Sequence, residues 1–297
     1  MNEINASQNP IEGVHALLDS TEKSIGKMLV DAGKLKLPDI EIIRHCQKSQ
    51  GLRFGEAAVK LGLVAEADIL QMLSRQFFYP YLQANEVTDL SKELVAAFDP
   101  FSPQVEALRG LRGELVLRWF NEENKQLALV GLGEGDGCSH LAANLAVVFS
   151  QLGERTILID ANLRKPRLHE LFGLQQQKGL SDYLVGRVGL EEAIHKIPAL
   201  VDLSVLPAGT VPPNPQELLV KPAFKLLLKD LAKHYDVTLL DTPHGLLYGD
   251  IKHIADAIGG VVVVTRKHHT RVESVRMLQE KMANIKAQLL GIVLSEF

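Results

Sequence analysis

Three short segments of this chain carry side chains suited to handling phosphate. The first is the glycine-rich run Gly133-Glu134-Gly135-Asp136-Gly137-Cys138-Ser139-His140. Glycines let successive backbone amides converge on one point, and a helix N-terminus behind them favours an anion. In such a loop a Ser or Thr serves magnesium, and a lysine adds a point charge on the β- and γ-phosphates. Gly133, Gly135, Gly137 and Ser139 are present, Asp136 lies between the glycines, and His140 follows the serine. The lysine position holds Cys138. A thiol with an ordinary pKa of about 8.5 is mostly neutral at pH 7 and supplies no cation. The second segment runs from Asp160 through Asn162, Arg164 and Lys165 to Arg167, and the third is Asp241-Thr242-Pro243. Ser139, Asp160 and Asp241 are the candidate magnesium ligands. Asp160, Asn162 and Asp241 are the candidate catalytic positions. Asn162 keeps an acceptor oxygen but cannot act as a base. Arg164, Lys165 and Arg167 stand near enough in sequence to replace the lysine, although solvated charge after a strand is the plainer reading of all three.

These segments need a scaffold that brings them to one edge. Apolar runs at 127–130, 156–160, 203–206, 237–240, 261–265 and 291–294 read as buried strands. Helical periodicity follows the glycine loop over 139–152, and 215–235 reads as one long amphipathic helix, with Asn214 as N-cap and Pro215 at its first position. Alternating strands and helices predict an α/β fold, a mostly parallel sheet covered on both faces, and the glycine-rich loop after its first strand makes it P-loop NTPase-like. Ligands on such sheets bind beyond the carboxyl ends of the strands, where all three segments fall. Ahead of the first strand, a helix over 105–120 carries Glu106, Arg109 and Arg112 at a spacing that places them near one face.

Composition narrows the function classes. The 297 residues suggest two domains. With 32 basic against 36 acidic residues, net charge is −4, which argues against general nucleic-acid binding. Two distant cysteines, Cys46 and Cys138, show no metal spacing and fit a reducing cytosol. No apolar run reaches the ~18 residues needed to span a bilayer, so a membrane role is expected to come through a partner.

The front of the chain is duplicated. Residues 24–47 align with 53–76 without a gap, at an offset of 29. Gly26 falls on Gly55, Gly33 on Gly62, Asp39 on Asp68, and Gln47 on Gln76. Each copy reads as helix, glycine stop, turn, helix. This tandem pattern resembles the N-terminal domain of type II secretion and pilus ATPases, a subset of which binds cyclic di-GMP. On that resemblance the ligand residues would be Ser24, Gly26, Gly33, Gln47, Arg53, Phe54, Gly55, Gly62 and Gln76, with Ser24 standing where the family opens on a basic residue. Arg can stack on and hydrogen-bond a guanine, and glycine lets a ring approach the backbone. The preferred reading is simpler: the glycines are caps and the module docks on a protein.

The nucleotide segments, with the blocks Pro212-Pro213-Asn214-Pro215, Glu217-Leu218-Leu219 and Leu171-Phe172-Gly173, resemble the bacterial tyrosine kinases, and most of all their EpsG-type, chain-length-determinant branch in exopolysaccharide biosynthesis. The Glu106/Arg109/Arg112 helix is similar to the element through which those kinases form rings. The resemblance implies ATP or ADP with Mg²⁺ as cofactors, a homo-oligomer, and a membrane polysaccharide co-polymerase as partner of a cytoplasmic protein. Cys138, Asn162, His244 and the absence of tyrosines near the C-terminus depart from the family pattern. They predict impaired catalysis and regulation through assembly. The alternatives are an active tyrosine autokinase with a non-lysine phosphate grip, or a positioning ATPase of the MinD/ParA type. The expected organisation is a loosely ordered 1–20, a duplicated helical domain at 21–85, a linker at 86–103 and the P-loop domain at 104–297.

Overall fold

The structure, a computed structural model, describes residues 25–76, 82, 88–174, 178–283 and 285–296, with backbone alone at 67, 71 and 74–76. The stretch 1–20, expected to be loosely ordered, lies outside the described residues. The chain divides into two compact units, residues 1–80 and 81–297.

The described part of the first unit has four helices: α1 (Ile25–Asp31), α2 (Leu37–Gln50), α3 (Phe54–Lys60) and α4 (Glu66–Gln76). The 29-residue repeat is visible in its hydrogen bonds. Lys34 N donates to Leu29 O at 2.8 Å, and Leu63 N donates to Ala58 O at 3.1 Å. Gly33 and Gly62, at φ +68° and +66°, occupy the left-handed position that ends each first helix. Asp39 and Asp68 accept from the amides of Lys36 and Ala65 at 2.8 and 3.1 Å, starting each second helix. The helices then exchange partners: α1 packs on α4 and α2 on α3. Leu29, Ile43, Ala57, Ala58 and Met72 form the buried core.

The second unit begins with α5 (Val95–Phe98) and α6 (Pro103–Arg118). The chain then alternates through β1 (Gln126–Gly131), α7 (Cys138–Ser150), β2 (Thr156–Asp160), α8 (Leu168–Leu171), α9 (Leu180–Leu184) and α10 (Leu190–Ala193). After β3 (His195–Lys196) and β4 (Leu203–Leu206) come α11 (Pro215–Val220), α12 (Pro222–His234) and β5 (Val237–Asp241). The unit ends with α13 (Asp250–Ile258), β6 (Gly260–Arg266), α14 (Val272–Met282) and β7 (Gln288–Ser295). The sheet order is β3-β4-β2-β5-β1-β6-β7. Every neighbouring pair is parallel except β3 with β4. Strands β1, β2, β4, β5 and β6 are buried along nearly their whole length, as strands covered by helices on both faces must be. This is the mostly parallel sheet that the alternation predicts, with the P-loop NTPase-like placement of the glycine-rich loop after β1.

Two expectations meet a different arrangement. The helix expected over 215–235 is two helices, because Pro222 pushes Lys221 to ψ 144° and removes an amide from the ladder. The stretch expected to be a linker is, in its described part, a strap across α7. Leu90, Leu94, Ala96 and Ala97 are buried in the core of the second unit. Asn144 of α7 accepts from Ala96 N at 2.9 Å and donates to Glu93 O at 3.0 Å. Gln151 donates to Ala96 O at 2.9 Å.

Candidate functional site

Parallel pairing sets the site. Asp160 and Asp241 are register partners at the carboxyl ends of β2 and β5, so two carboxylates finish adjacent strands side by side. The glycine loop leaves the neighbouring β1, whose Leu129 is the register partner of Asp241. A cleft of 680 Å³ lies above them, lined by the loop from Gly133 to His140 and by Asn162, Lys165, Arg167, Thr242, His244 and Glu93 among others.

The loop is held open by its own acid. Asp136 is buried, and its Oδ2 accepts from Leu132 N at 2.8 Å and Gly133 N at 2.7 Å. Its Oδ1 accepts from the Thr270 hydroxyl at 2.8 Å. Asp136, expected among the nucleotide-binding residues, thus uses its carboxylate to shape the loop. Gly135 and Gly137 take φ of +83° and +82°, and Gly137 is the N-cap of α7. A side chain at either would be strained.

Cys138 lines the cleft but turns its thiol to β1. Its thiol donates to Leu129 O at 3.2 Å. Burial pushes its pKa well above the ordinary thiol value, and the Asp241 charge beside it adds to the rise. The lysine position is therefore a neutral group aimed at the strand.

Asp160 accepts three amides, from Asn162, Arg167 and Leu168, at 3.2, 3.1 and 3.0 Å. It folds the loop after β2 back on itself, and Asn162 tightens it by accepting from Lys165 N at 3.2 Å. Asp241 is unlike it. Both its oxygens are fully buried with no well-formed hydrogen bond. Burial raises its pKa to about 6, although the Ser139 hydroxyl and Cys138 thiol lie close enough to pull it down. Asp160 is raised too, by burial first and then by the Asp241 charge. A bare buried carboxylate demands a cation or a proton.

The cations around the cleft are paired. Arg164 grips the buried Asp250 at 2.7 and 3.1 Å and lies 4.2 Å over the Tyr248 ring. Lys165 meets Glu134 at 2.8 Å on the rim. Arg167 meets Glu93 at 2.7 Å. His244 lines the cleft beside Glu134, and His140 is held below its ordinary pKa, mainly by burial. Glu93 and its strap are the site residues that sequence reasoning missed. Their signal was the run of apolar residues Leu90, Leu94, Ala96 and Ala97, more than a solvated connector needs.

Away from the cleft, Arg109 of α6 binds Glu106 at 3.0 Å and Pro100 O at 2.6 Å, and Arg112 donates to Val148 O. In the first unit, a Cβ on Gly26 would come within 3.0 Å of the Phe54 ring, and one on Gly55 within 2.8 Å of Ile69. Gln47 turns its amide toward Leu52 O at 3.5 Å, and Arg53 is exposed at the start of α3. Ser24 and the Gln76 side chain lie outside the described residues.

Comparison with known proteins agrees with this geometry. Residues 124–288 match the family described as cellulose biosynthesis protein BcsQ. The tyrosine-protein kinase YwqD of Bacillus subtilis (strain 168) is 32% identical over 72% of this chain and 90% of its own. The chain belongs to the bacterial tyrosine kinase family. A putative tyrosine-protein kinase in the cps region of Klebsiella pneumoniae is 37% identical over 68% of this chain, but that match spans only 28% of the Klebsiella protein. The kinase domain of the Escherichia coli tyrosine kinase ETK superposes with a TM-score of 0.68 and 28% identity, covering 74% of this chain and 85% of that domain. No helix among the described residues is long and apolar enough to cross a membrane.

Proposed function

We propose that this bacterial tyrosine kinase homologue is a cytoplasmic regulator of exopolysaccharide chain length or export that acts through nucleotide-dependent assembly, with weak or no phosphoryl transfer of its own. The observation that carries the reading is the lysine position: a neutral thiol turned to the strand beneath an otherwise assembled phosphate loop. Loss of a cation that stabilises transferred phosphate costs several powers of ten in rate. The relatives' names, a kinase in a cps region and a cellulose biosynthesis protein, support the polysaccharide setting.

The residues fit a magnesium-nucleotide. The orphaned carboxylate of Asp241, with the Ser139 hydroxyl beside it and Asp160 on the next strand, is the donor set a hard divalent cation takes. When bound, the ion would neutralise charge on the β- and γ-phosphates. The chain's own part is to present the loop amides, which Asp136 prearranges, and the N-terminus of α7. Glu106, Arg109 and Arg112 would mediate self-association, and a membrane co-polymerase is the proposed partner. For the front unit we favour protein docking over cyclic di-GMP, because Gly26 and Gly55 are packed against side chains and Gly33 and Gly62 are helix ends.

The test is calorimetry of magnesium-ATP and magnesium-ADP on wild type and Cys138→Lys, with radiolabelled phosphate transfer followed in parallel. We expect weak wild-type binding, a gain on Cys138→Lys, and no labelled tyrosine from wild type. Wild-type affinity near micromolar, about −8 kcal/mol, with label that disappears in Asp241→Ala, would overturn the impaired reading in favour of an active kinase.

A further inference from the structure

The loop after β2 carries three cations, and their surroundings separate them. Arg164 is committed: it neutralises Asp250, whose side chain is 1% exposed. Moving it would strand a buried carboxylate. Lys165 and Glu134 are 64% and 76% exposed, so that pair sits at the rim in screening solvent. Arg167 is different. Its backbone amide is fixed to Asp160 at the cleft floor, which anchors the base of its side chain. Its side chain lines the same cleft as Cys138 and Ser139. Its charge reaches both Asp241 and His140.

Arg167 faces an anion that the fold itself supplies. One guanidinium nitrogen bridges both oxygens of Glu93, at 2.9 and 2.7 Å. The backbone of Glu93 is fixed as well. Its carbonyl is held by Asn144, and Asn144 belongs to α7, the helix that the phosphate loop opens. The anion is thus mounted on the phosphate-binding element and turned into the phosphate cleft. A carboxylate on a guanidinium occupies the role that a phosphate oxygen pair takes on arginine. The contact is half exposed on both sides, 44% and 47%, so it is a weak pair that a multiply charged ligand can displace.

We propose that Arg167 is the phosphate-binding cation of this chain, replacing the missing lysine, and that Glu93 is a resident anion which nucleotide phosphate must displace from it. The inference rests on the nucleotide reading above and assigns the cation that reading lacks. It also explains why the strap lies where it does, since the segment after the front unit carries the acid that masks the site.

The experiment is a magnesium-ADP titration by calorimetry on Glu93→Gln, Arg167→Gln, Arg167→Lys and the Glu93→Gln/Arg167→Gln double variant. The series is run in the wild-type and the Cys138→Lys backgrounds, so weak wild-type binding does not hide it. Glu93→Gln should tighten binding about tenfold, the effect of removing one competing charge. Arg167→Gln should weaken it about tenfold, Arg167→Lys should restore part of that loss, and the double variant should bind like Arg167→Gln. Rescue by lysine separates a charge effect from damage to the loop. Tightening by Glu93→Gln that persists without Arg167 overturns the proposal, since Glu93 would then only repel phosphate. So does an unchanged affinity in Arg167→Gln. If Cys138→Lys binds while the Glu93 and Arg167 variants match their parents, this inference alone falls. If no variant binds nucleotide, the nucleotide reading itself falls with it.

Discussion

At the residue scale, the chemistry of this protein turns on what has been left uncompensated. Asp241 ends a strand with both oxygens buried and unbonded. Its pKa, raised to about 6 by burial, is a statement about stability. The folded value lies above the unfolded one of about 3.9. Between those values the folded protein holds the proton that the unfolded chain has lost. The stabilising contribution of this group is therefore full below about pH 4, lost as pH rises through about 6, and flat above. The gap between the two values corresponds to about 3 kcal/mol. The neighbouring Asp160 shares in this titration, because the Asp241 charge adds to the rise that burial imposes on it. Denaturant unfolding of magnesium-free wild type from pH 4 to 7 should show stability falling relative to Asp241→Asn by an amount of that order. Parallel curves for the two proteins would remove Asp241 as the source. That Asp160 and Asp241 end strands, and that Asp136 and Cys138 lie in the glycine-rich loop, was legible in the sequence. Their differing roles were not, because Asp136 and Asp160 have amide partners that only the folded loops bring to them.

At the element scale, strands were legible and connections were not. The runs that became β1, β2, β4, β5 and β6 are apolar on both faces, which is what burial between helix layers demands. The two-residue β3 has no such signature and is recruited by antiparallel pairing with β4. The front repeat was legible because two copies of one sequence report the same caps. Its glycines, however, are explained by contact as well as by backbone. A methyl on Gly55 would meet Ile69 at 2.8 Å, so Gly55→Ala should cost about 1–3 kcal/mol by overpacking. Gly62→Ala meets nothing within 4 Å and should cost about 1 kcal/mol through its left-handed φ alone. Thermal unfolding of the first unit's helices by circular dichroism would rank the two. Reversal of that order would mean the helices shift to admit the methyl. The strap makes the same point for the second unit. Prolines at 100 and 103 suggest a connector, yet Asn144 binds its backbone at two points. Asn144→Ala should cost about 1–3 kcal/mol, the penalty for leaving buried backbone groups unpaired. Chemical denaturation measures it.

At the scale of the whole molecule, the question is how one helix could serve both folding and assembly. In α6 the three side chains expected to mediate self-association are not equivalent. Arg109 is 19% exposed and bound to Pro100 O, while Glu106 is 74% exposed. Arg112 is half-buried and donates to Val148 O on α7. Replacing either arginine would loosen α6 on its own unit, so a loss of oligomer in Arg112→Ala would not separate the two roles. Glu106 gives the cleaner variant, since its own carboxylate is exposed, its ion-pair partner Arg109 keeps the bond to Pro100 O, and an i,i+3 pair with one solvated member contributes about 1 kcal/mol or less. Glu106→Ala should leave the unfolding midpoint nearly unchanged. If α6 is an assembly face, sedimentation at rising protein concentration should show a smaller species for Glu106→Ala than for wild type. The exposed apolar residues Val116 and Leu117 on the same helix would then be covered in the oligomer, and Leu117→Ser should weaken it further. Equal sedimentation of all three proteins would confine α6 to folding, and assembly would have to be sought on another surface.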